Sequence, residues 1–348
     1  MNSPFPSSTS APGLGKLTVH LLPNGHSNLT KIEYQYPLKL ITPPRNYQQD
    51  KSALVFLLSY GGGLVGGDTV DLSIDVQAGS RLSVVTQGHT KIFKSVTPDI
   101  VTRQNLNVVI EDGAALCLLP DPVQPFAESV YEQTQIFRLK GEGASLCLLD
   151  WVTQGRSARG EDWSLVRWNG RNEIWWSTAA STPSAAAKER LLVRDAVKLD
   201  GMATLSPAVK DLKSTMHGLG IFGTLILRGP LMKSLGDFFL AEFAALPRIG
   251  ARDWRTEEAR KLAEDEEDKD PHEVWRAERL RMERDEKILW SAASVRGCVV
   301  VKFGAATVEA GRMWIGSMLV KEESIAENFG DQALMCVAIF IADHLAET

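Results

Sequence analysis

Seven carboxylates stand beside glycines or at the ends of apolar runs: Asp68, Asp71, Asp75, Asp121, Glu128, Asp150 and Glu161. Oxygen ligands of this kind hold cations weakly and exchangeably, or serve in pairs as general acid and base. The softer metal ligands are not clustered. His20, His26, His89, His217, His272 and His344 are scattered, with no His-x-x-x-His pair, and Cys117, Cys147, Cys298 and Cys336 lie inside apolar runs without Cys-x-x-Cys spacing. The cysteines therefore read as small core residues of a reducing compartment. Nucleophilic catalysis finds little support: Gly-x-Ser-x-Gly is absent, and Ser214-Thr215-Met216-His217 has no context that would pair a base with a nucleophile.

Each candidate has two readings. Asp68 follows two glycines, where an aspartate closes a turn or contacts an ion. Glu161 forms either an ion pair with Arg156 that fixes a loop or a metal contact. His89, beside Lys91, is a ligand or a hydrogen-bond partner, and Asp71 and Asp75 fall on the polar face of a strand.

The elements that must position these groups are mostly strands. Gly79-Ser80-Arg81-Leu82-Ser83-Val84-Val85 recurs as Gly113-Ala114-Ala115-Leu116-Cys117-Leu118-Leu119, and again as Gly143-Ala144-Ser145-Leu146-Cys147-Leu148-Leu149, at steps of 34 and 30 residues. A turn glycine feeding a short apolar run, repeated, predicts strand layers that stack because one layer cannot bury its own face. Val70 to Val76 alternates with a period of two, as a half-buried strand does. The expected fold is mainly β: a stacked β-sheet, solenoid-like body with a few helices. Met232, Leu235, Phe239, Phe243 and Leu246 share one helical face, and so do Leu334, Val337, Ala338, Ile341 and Leu345 in an amphipathic C-terminal helix starting near Gly330-Asp331.

Gly61-Gly62-Gly63-Leu64-Val65-Gly66-Gly67-Asp68 contains a literal G-x-G-x-x-G, but the dinucleotide motif needs a helix to open there. A period-two strand follows instead, and no Lys-Ser or Lys-Thr completes a P-loop. The glycines read as a permissive crossing that approaches another segment closely.

Composition sets the outer limits. A chain of 348 residues, 44% hydrophobic, can bury a sizeable core, and its net charge of −5 argues against a general nucleic-acid binder. No apolar run is long enough for a membrane helix, and Met1 to Gly15 reads as a flexible Ser/Pro-rich tail with no secretory leader, so the expected location is cytoplasmic. Residues 16–348 form one expected domain. Within it, 24 of the 36 residues from Arg252 to Lys287 are charged, which reads as a solvated helical insertion, broken around Pro271 and dispensable for folding.

Four ordered motifs carry a resemblance. They are Ser59 to Asp68 with its glycine run, Thr86-Gln87-Gly88-His89-Thr90-Lys91-Ile92-Phe93-Lys94-Ser95, Leu118-Leu119-Pro120-Asp121-Pro122-Val123-Gln124-Pro125-Phe126, and Gly155-Arg156-Ser157-Ala158-Arg159-Gly160-Glu161. Together they resemble the urease accessory protein UreD family (UreH in some bacteria), strongly over Lys16 to Lys198. The charged stretch looks like an insertion absent from bacterial relatives, so the chain resembles a eukaryotic member, and His89 stands where the family generally has a small residue. Gly62, Gly63, Gly66, Gly67, Arg156 and Gly160 are then motif positions with a structural role.

The resemblance implies a non-enzymatic chaperone of stacked sheets. Such a protein binds a UreF-like accessory protein, which recruits a UreG-like GTPase, and the assembly docks on apo-urease. Nickel passes in transit through an internal tunnel, with no permanently bound cofactor, and Asp68, Glu161 and His89 are its candidate transient contacts. Two other readings stay open: a β-solenoid carbohydrate-active hydrolase using Asp68, Asp71 and Glu161, and a protein scaffold that conducts no nickel.

Overall fold

The computed structural model describes residues 11–44, 50–178, 188–201, 211–246 and 270–338. Eighteen strands, numbered in chain order, build two sheets that face each other. The first contains β1 (Leu14–Leu21), β2 (Ser27–Tyr34), β6 (Thr69–Val76), β9 (Thr102–Ile110), β12 (Val130–Lys140), β14 (Arg167–Ser177) and β15 (Glu189–Asp200), in the order β15-β14-β12-β9-β6-β1-β2. The second contains β3 (Leu38–Ile41), β4 (Ala53–Ser59), β7 (Arg81–Val85), β10 (Ala115–Leu118), β13 (Ser145–Thr153), β16 (Ile221–Arg228), β17 (Leu289–Val295) and β18 (Cys298–Ala305), in the order β17-β18-β16-β13-β10-β7-β4-β3. Short strands β5 (Gly63–Leu64), β8 (Thr90–Ile92) and β11 (Val123–Pro125) extend the second sheet.

The repeated phrase is the register of the stack. β7, β10 and β13 run parallel with Leu82, Leu116 and Leu146 in one row and Ser83, Cys117 and Cys147 in the next. Each is preceded in the chain by a strand of the opposite sheet, β6, β9 or β12, and these too pair in parallel. The glycine between them does different work in different copies. Gly79 and Gly113 have φ near +70°, whereas Gly143 is required by proximity, since a Cβ there would lie 2.8 Å from the Gly113 amide nitrogen.

Two cores follow. Leu17, Ile74, Leu82, Leu106, Leu116, Phe137, Leu146 and Ile174 fill the space between the sheets. The outer face of the second sheet, with Cys117, Cys147, Leu149, Trp151 and Phe303, is covered by helices carrying Leu235, Phe239, Trp314 and Leu319. Strands covered on both faces read as unbroken apolar runs, as β10 does. All four cysteines are buried and unpaired, and burial raises the thiols of Cys117 and Cys298.

The helix on the Met232–Phe243 face spans Lys233–Ala244 behind a 3₁₀ turn, Pro230–Met232. A second helix, Val308–Glu322, is capped by Thr307 and runs into Ser324–Phe329; neither has a clear one-face pattern in the sequence. The reason is burial. Gly311 lets Val308–Glu322 lie against the sheet, where a Cβ would meet Ile221 at 2.0 Å, and Trp314, Ile315, Met318 and Leu319 are all enclosed. Of the expected C-terminal helix, Asp331–Leu334 forms a 3₁₀ turn, and residues 339–348 lie outside the described residues.

The charged segment differs from its expected character where it is described. Pro271 starts a helix, Pro271–Asp285, at the first position, with the Asp270 carboxylate accepting from the His272 amide at 3.1 Å. That helix is docked, not solvated. Arg279, 1% exposed, bridges Glu283, 8% exposed, on its own helix and Glu242, 1% exposed, on Lys233–Ala244. Residues 252–269 lie outside the described residues.

Candidate functional site

Side chains of one parity on each strand face the opposite sheet. On β12 these are Tyr131, Gln133, Gln135, Phe137 and Leu139, and on β13 Leu146, Leu148, Asp150 and Val152. Gln133, Gln135 and Asp150 thus occupy positions whose neighbours are core residues. The same substitution occurs at one level along both sheets. Gln135, Asn172 and Asp195 form a row across β12, β14 and β15. Asp150, Thr224 and Lys302 form a row across β13, β16 and β18.

Hydrogen bonds join the two rows. Gln133 Nε2 donates to Asp150 Oδ1 at 2.8 Å and Asn172 Nδ2 to Asp150 Oδ2 at 2.7 Å. Gln135 Nε2 donates to Asn172 Oδ1 at 3.0 Å, and Tyr131 Oη to Gln133 Oε1 at 3.1 Å. Beyond Asp150, Asp195 accepts from Lys302 Nζ at 2.6 Å and from Thr224 Oγ1 at 3.1 Å. The result is a polar seam through an otherwise apolar core. Burial pushes the Asp150 carboxyl above the usual aspartate range, against the pull of its Asn172 and Gln133 donors.

At its other end the seam meets a cavity of about 30 Å³ lined by Gln104, Gln133, Gln135, Asp150, Thr86 and Thr90. Such a volume holds about one or two waters among polar groups. Leu57, Thr86 and Thr90 also line an outer cavity of about 220 Å³, which Lys39, Tyr60, Gly61, Gly62 and His89 border. The wall between the two is fixed by Asp121. Its Oδ2 accepts from Thr86 Oγ1 at 3.0 Å and the Gly88 amide at 2.8 Å, and its Oδ1 from Arg312 at 2.7 Å. Cys336 donates to the Thr86 carbonyl at 3.3 Å, and burial pushes its thiol up to about 12, so it offers no thiolate.

The structure places the sequence candidates apart. Asp68 closes the glycine loop: Oδ2 accepts from the Val65 amide at 2.9 Å, and its own amide donates to the Val65 carbonyl at 3.0 Å. Glu161 is clasped by Arg156, whose backbone amide donates to Oε2 at 3.0 Å and whose guanidinium donates to Oε1 and stacks on Phe126 at 3.7 Å. Its carboxyl is held below the usual glutamate range chiefly by that guanidinium. His89 borders the outer cavity, where burial first, then Arg312 and Lys91, hold its imidazole below the usual value against Asp121. Among the described residues no three His, Cys, Asp or Glu side chains form a metal-binding group. Gln133, Gln135, Asn172, Asp195 and Lys302 escaped the sequence reading. Their signal is parity, polar residues in register with a core face.

The glycine run contains one 3₁₀ turn, Tyr60–Gly62, and β5, and it leads into β6, not into an α-helix. Gly61 and Gly62 have positive φ and face open space, whereas a Cβ on Gly63 would lie 2.6 Å from the Lys91 carbonyl across the β5–β8 pairing. Gly63→Ala is therefore expected to destabilise the fold by about 1–3 kcal/mol, the cost of overpacking. Gly61→Ala should cost about 1 kcal/mol, from φ alone. Denaturant midpoints of the two variants check this ranking. Gly160, at φ +77°, ends the 3₁₀ turn Ser157–Arg159 and returns the chain to Glu161.

Glu161→Gln removes the charge that Arg156 clasps. Because the folded-state carboxyl lies below its unfolded value, its contribution is present above the unfolded value and lost as pH falls through the folded one. The variant should thus lose the part of the acid-side stability decline that this group causes, which thermal melts across that window would show.

The family model for the UreD urease accessory protein matches residues 13–332. A urease accessory protein ureD-like of Schizosaccharomyces pombe is 33% identical over 301 residues, 86% of this chain and 91% of that protein. Urease accessory protein 4 of Cryptococcus neoformans var. grubii is 33% identical over 249 residues, 64% of this chain and 73% of its own. The bacterial urease accessory protein UreD of Sorangium cellulosum is 36% identical over 217 residues, 62% of each chain. A model match across nearly all the described body, with two facing sheets built on the repeated glycine-led strands, settles the assignment: the chain belongs to the UreD family of urease accessory proteins.

Proposed function

We propose that the chain is a non-catalytic chaperone that works with a UreF-like protein and a UreG-like GTPase on apo-urease, in the cytoplasm, and carries nickel along the inter-sheet seam. Family membership gives the role in urease maturation. The observation that carries the transit reading is Asp150, a carboxylate held between two sheets by amide donors beside a small polar cavity. Nickel(II) prefers imidazole and thiolate, so a passage offering oxygen atoms binds it weakly enough to release it.

The test is co-purification with apo-urease and a UreF-like partner, followed by nickel-dependent urease activation with and without this chain. Equal activation without it would sink the proposal. A hydrolase reading gains nothing from the geometry: Asp71 is bonded by Asn105 at 2.7 Å, Glu161 is clasped by Arg156, and Asp68 serves its own turn.

Asp68 remains testable on the same assay. Asn keeps an oxygen acceptor for the Val65 amide and removes the charge, so Asp68→Asn should assemble and activate urease within about two-fold of wild type, the turn being its main duty. Slow activation restored by added nickel would place Asp68 on the route instead.

A further inference from the structure

The seam contains one fixed cation. Lys302 Nζ lies 2.6 Å from Asp195 Oδ1 and 3.4 Å from Thr224 Oγ1, with the Phe222 ring 5.4 Å beneath it. Thr224 stands between the two acids of the seam: it pairs in register with Asp150 and donates to Asp195 Oδ2. The Asp195 side chain is 12% exposed and that of Lys302 39%, so the pair lies where the seam nears solvent, and the ammonium meets a carboxylate that water reaches poorly. The Lys302 stem rises from the inter-sheet face of β18, where Cys298 is buried in the core and Val300 packs half-buried against it. An ammonium group at such a position has no packing purpose that a methionine would not serve.

We propose that Lys302 is a tethered cation that occupies the second carboxylate of the seam, so that a divalent metal ion reaching Asp150 meets one carboxylate and is held weakly. The inference rests on the reading that the seam carries nickel. Its chemistry is that of competition: an ammonium and a divalent cation seek the same oxygen atoms, and the one attached to the chain has no translational entropy to lose. Without Lys302, Asp150 and Asp195 would both face an arriving ion, with Thr224 between them, and the seam would become a storage site. With it, the ion passes.

The experiment measures Ni(II) binding by equilibrium dialysis at neutral pH, on the untagged full chain co-purified with its partner, circular dichroism confirming the fold of each variant. Lys302→Met keeps the aliphatic stem and removes the charge; Lys302→Gln serves as a second variant should the methionine form fail to fold. Loss of the ammonium is expected to tighten one nickel equivalent at least ten-fold. Adding Asp150→Asn should abolish the gain, and Lys302→Arg should bind as wild type does. A folded variant with unchanged nickel affinity overturns the inference, as does a gain that survives Asp150→Asn. Urease activation separates this from the broader proposal: tighter binding with slower activation supports both, whereas tighter binding with normal activation supports the tethered cation and removes the seam from the nickel route.

Discussion

Glu242→Ala is expected to destabilise the protein by roughly 3–5 kcal/mol, the cost of removing one partner from a buried ion-pair network. The Glu242 side chain is 2% exposed and accepts from Arg276 Nε at 2.9 Å, Arg276 Nη2 at 2.6 Å, Arg279 Nη2 at 3.0 Å, and pairs with His272 Nε2 at 2.9 Å. Arg279, 1% exposed, cannot reach water when that carboxylate is gone. It keeps Glu283, whose Oε1 also accepts from Trp290 at 2.8 Å and Trp314 at 2.9 Å, and so one carboxylate is left with the charge that two had shared. The network ties helix Pro271–Asp285 to the body, alongside Trp275 and Met282, which pack against the helical core. Hence a Gly/Ser linker in place of residues 252–287 should not be silent either. It removes Arg276, Arg279 and Glu283 together and strands Glu242 in the core.

The pH dependence has a definite sign. The Glu242 carboxyl lies below the usual glutamate range, its arginine and histidine donors outweighing the burial that opposes them. Its contribution is therefore complete above the unfolded value and lost as pH falls through the folded one. Denaturant midpoints of wild type and Glu242→Ala should converge on the acid side. A difference under about 1 kcal/mol at neutral pH would mean that the helix is held by Trp275 and Met282 packing and not by charge.

The docking of this segment is not encoded locally. Twenty-four charges in 36 residues describe solvated surface unless some of them pair in the interior, and pairing depends on a partner, Glu242, that precedes the segment in an unremarkable amphipathic run. The stacked body was accessible for the opposite reason. Its turn glycines and apolar phrases are local, and the 34- and 30-residue steps are themselves the ladder register of β7, β10 and β13. The seam lies between these cases. Gln133 and Gln135 share parity with Phe137 and Leu139 within one strand, which a close reading can see. That they face Asp150, and that Asp195 and Lys302 meet 107 residues apart, depends on the stacking of two sheets. Asp121 shows the same limit, fixed by Arg312 across 191 residues.

Asp150→Asn is expected to leave folding nearly unchanged and to slow nickel-dependent urease activation by an order of magnitude or more. Two effects on stability oppose each other. Burial holds the Asp150 carboxyl above the usual range, so stability falls as pH rises from the unfolded value to the folded one, the full cost stands above it, and a neutral amide removes that cost. Against this, the amide has one acceptor oxygen for the two donors, Gln133 Nε2 and Asn172 Nδ2, and one must turn over or lose its bond, at about 0.5–1.5 kcal/mol. The midpoint should therefore stay within about 1–2 kcal/mol of wild type. Activation has no such compensation: an amide oxygen lacks the charge that draws a divalent cation from water into a cavity of about 30 Å³. The variant should co-purify with its partners, activate urease slowly and respond to added nickel. Lost assembly would assign Asp150 to packing between the sheets. Normal activation with assembly intact would show that nickel does not pass Asp150, and a carboxylate that costs stability at this position would then need another reason to be there.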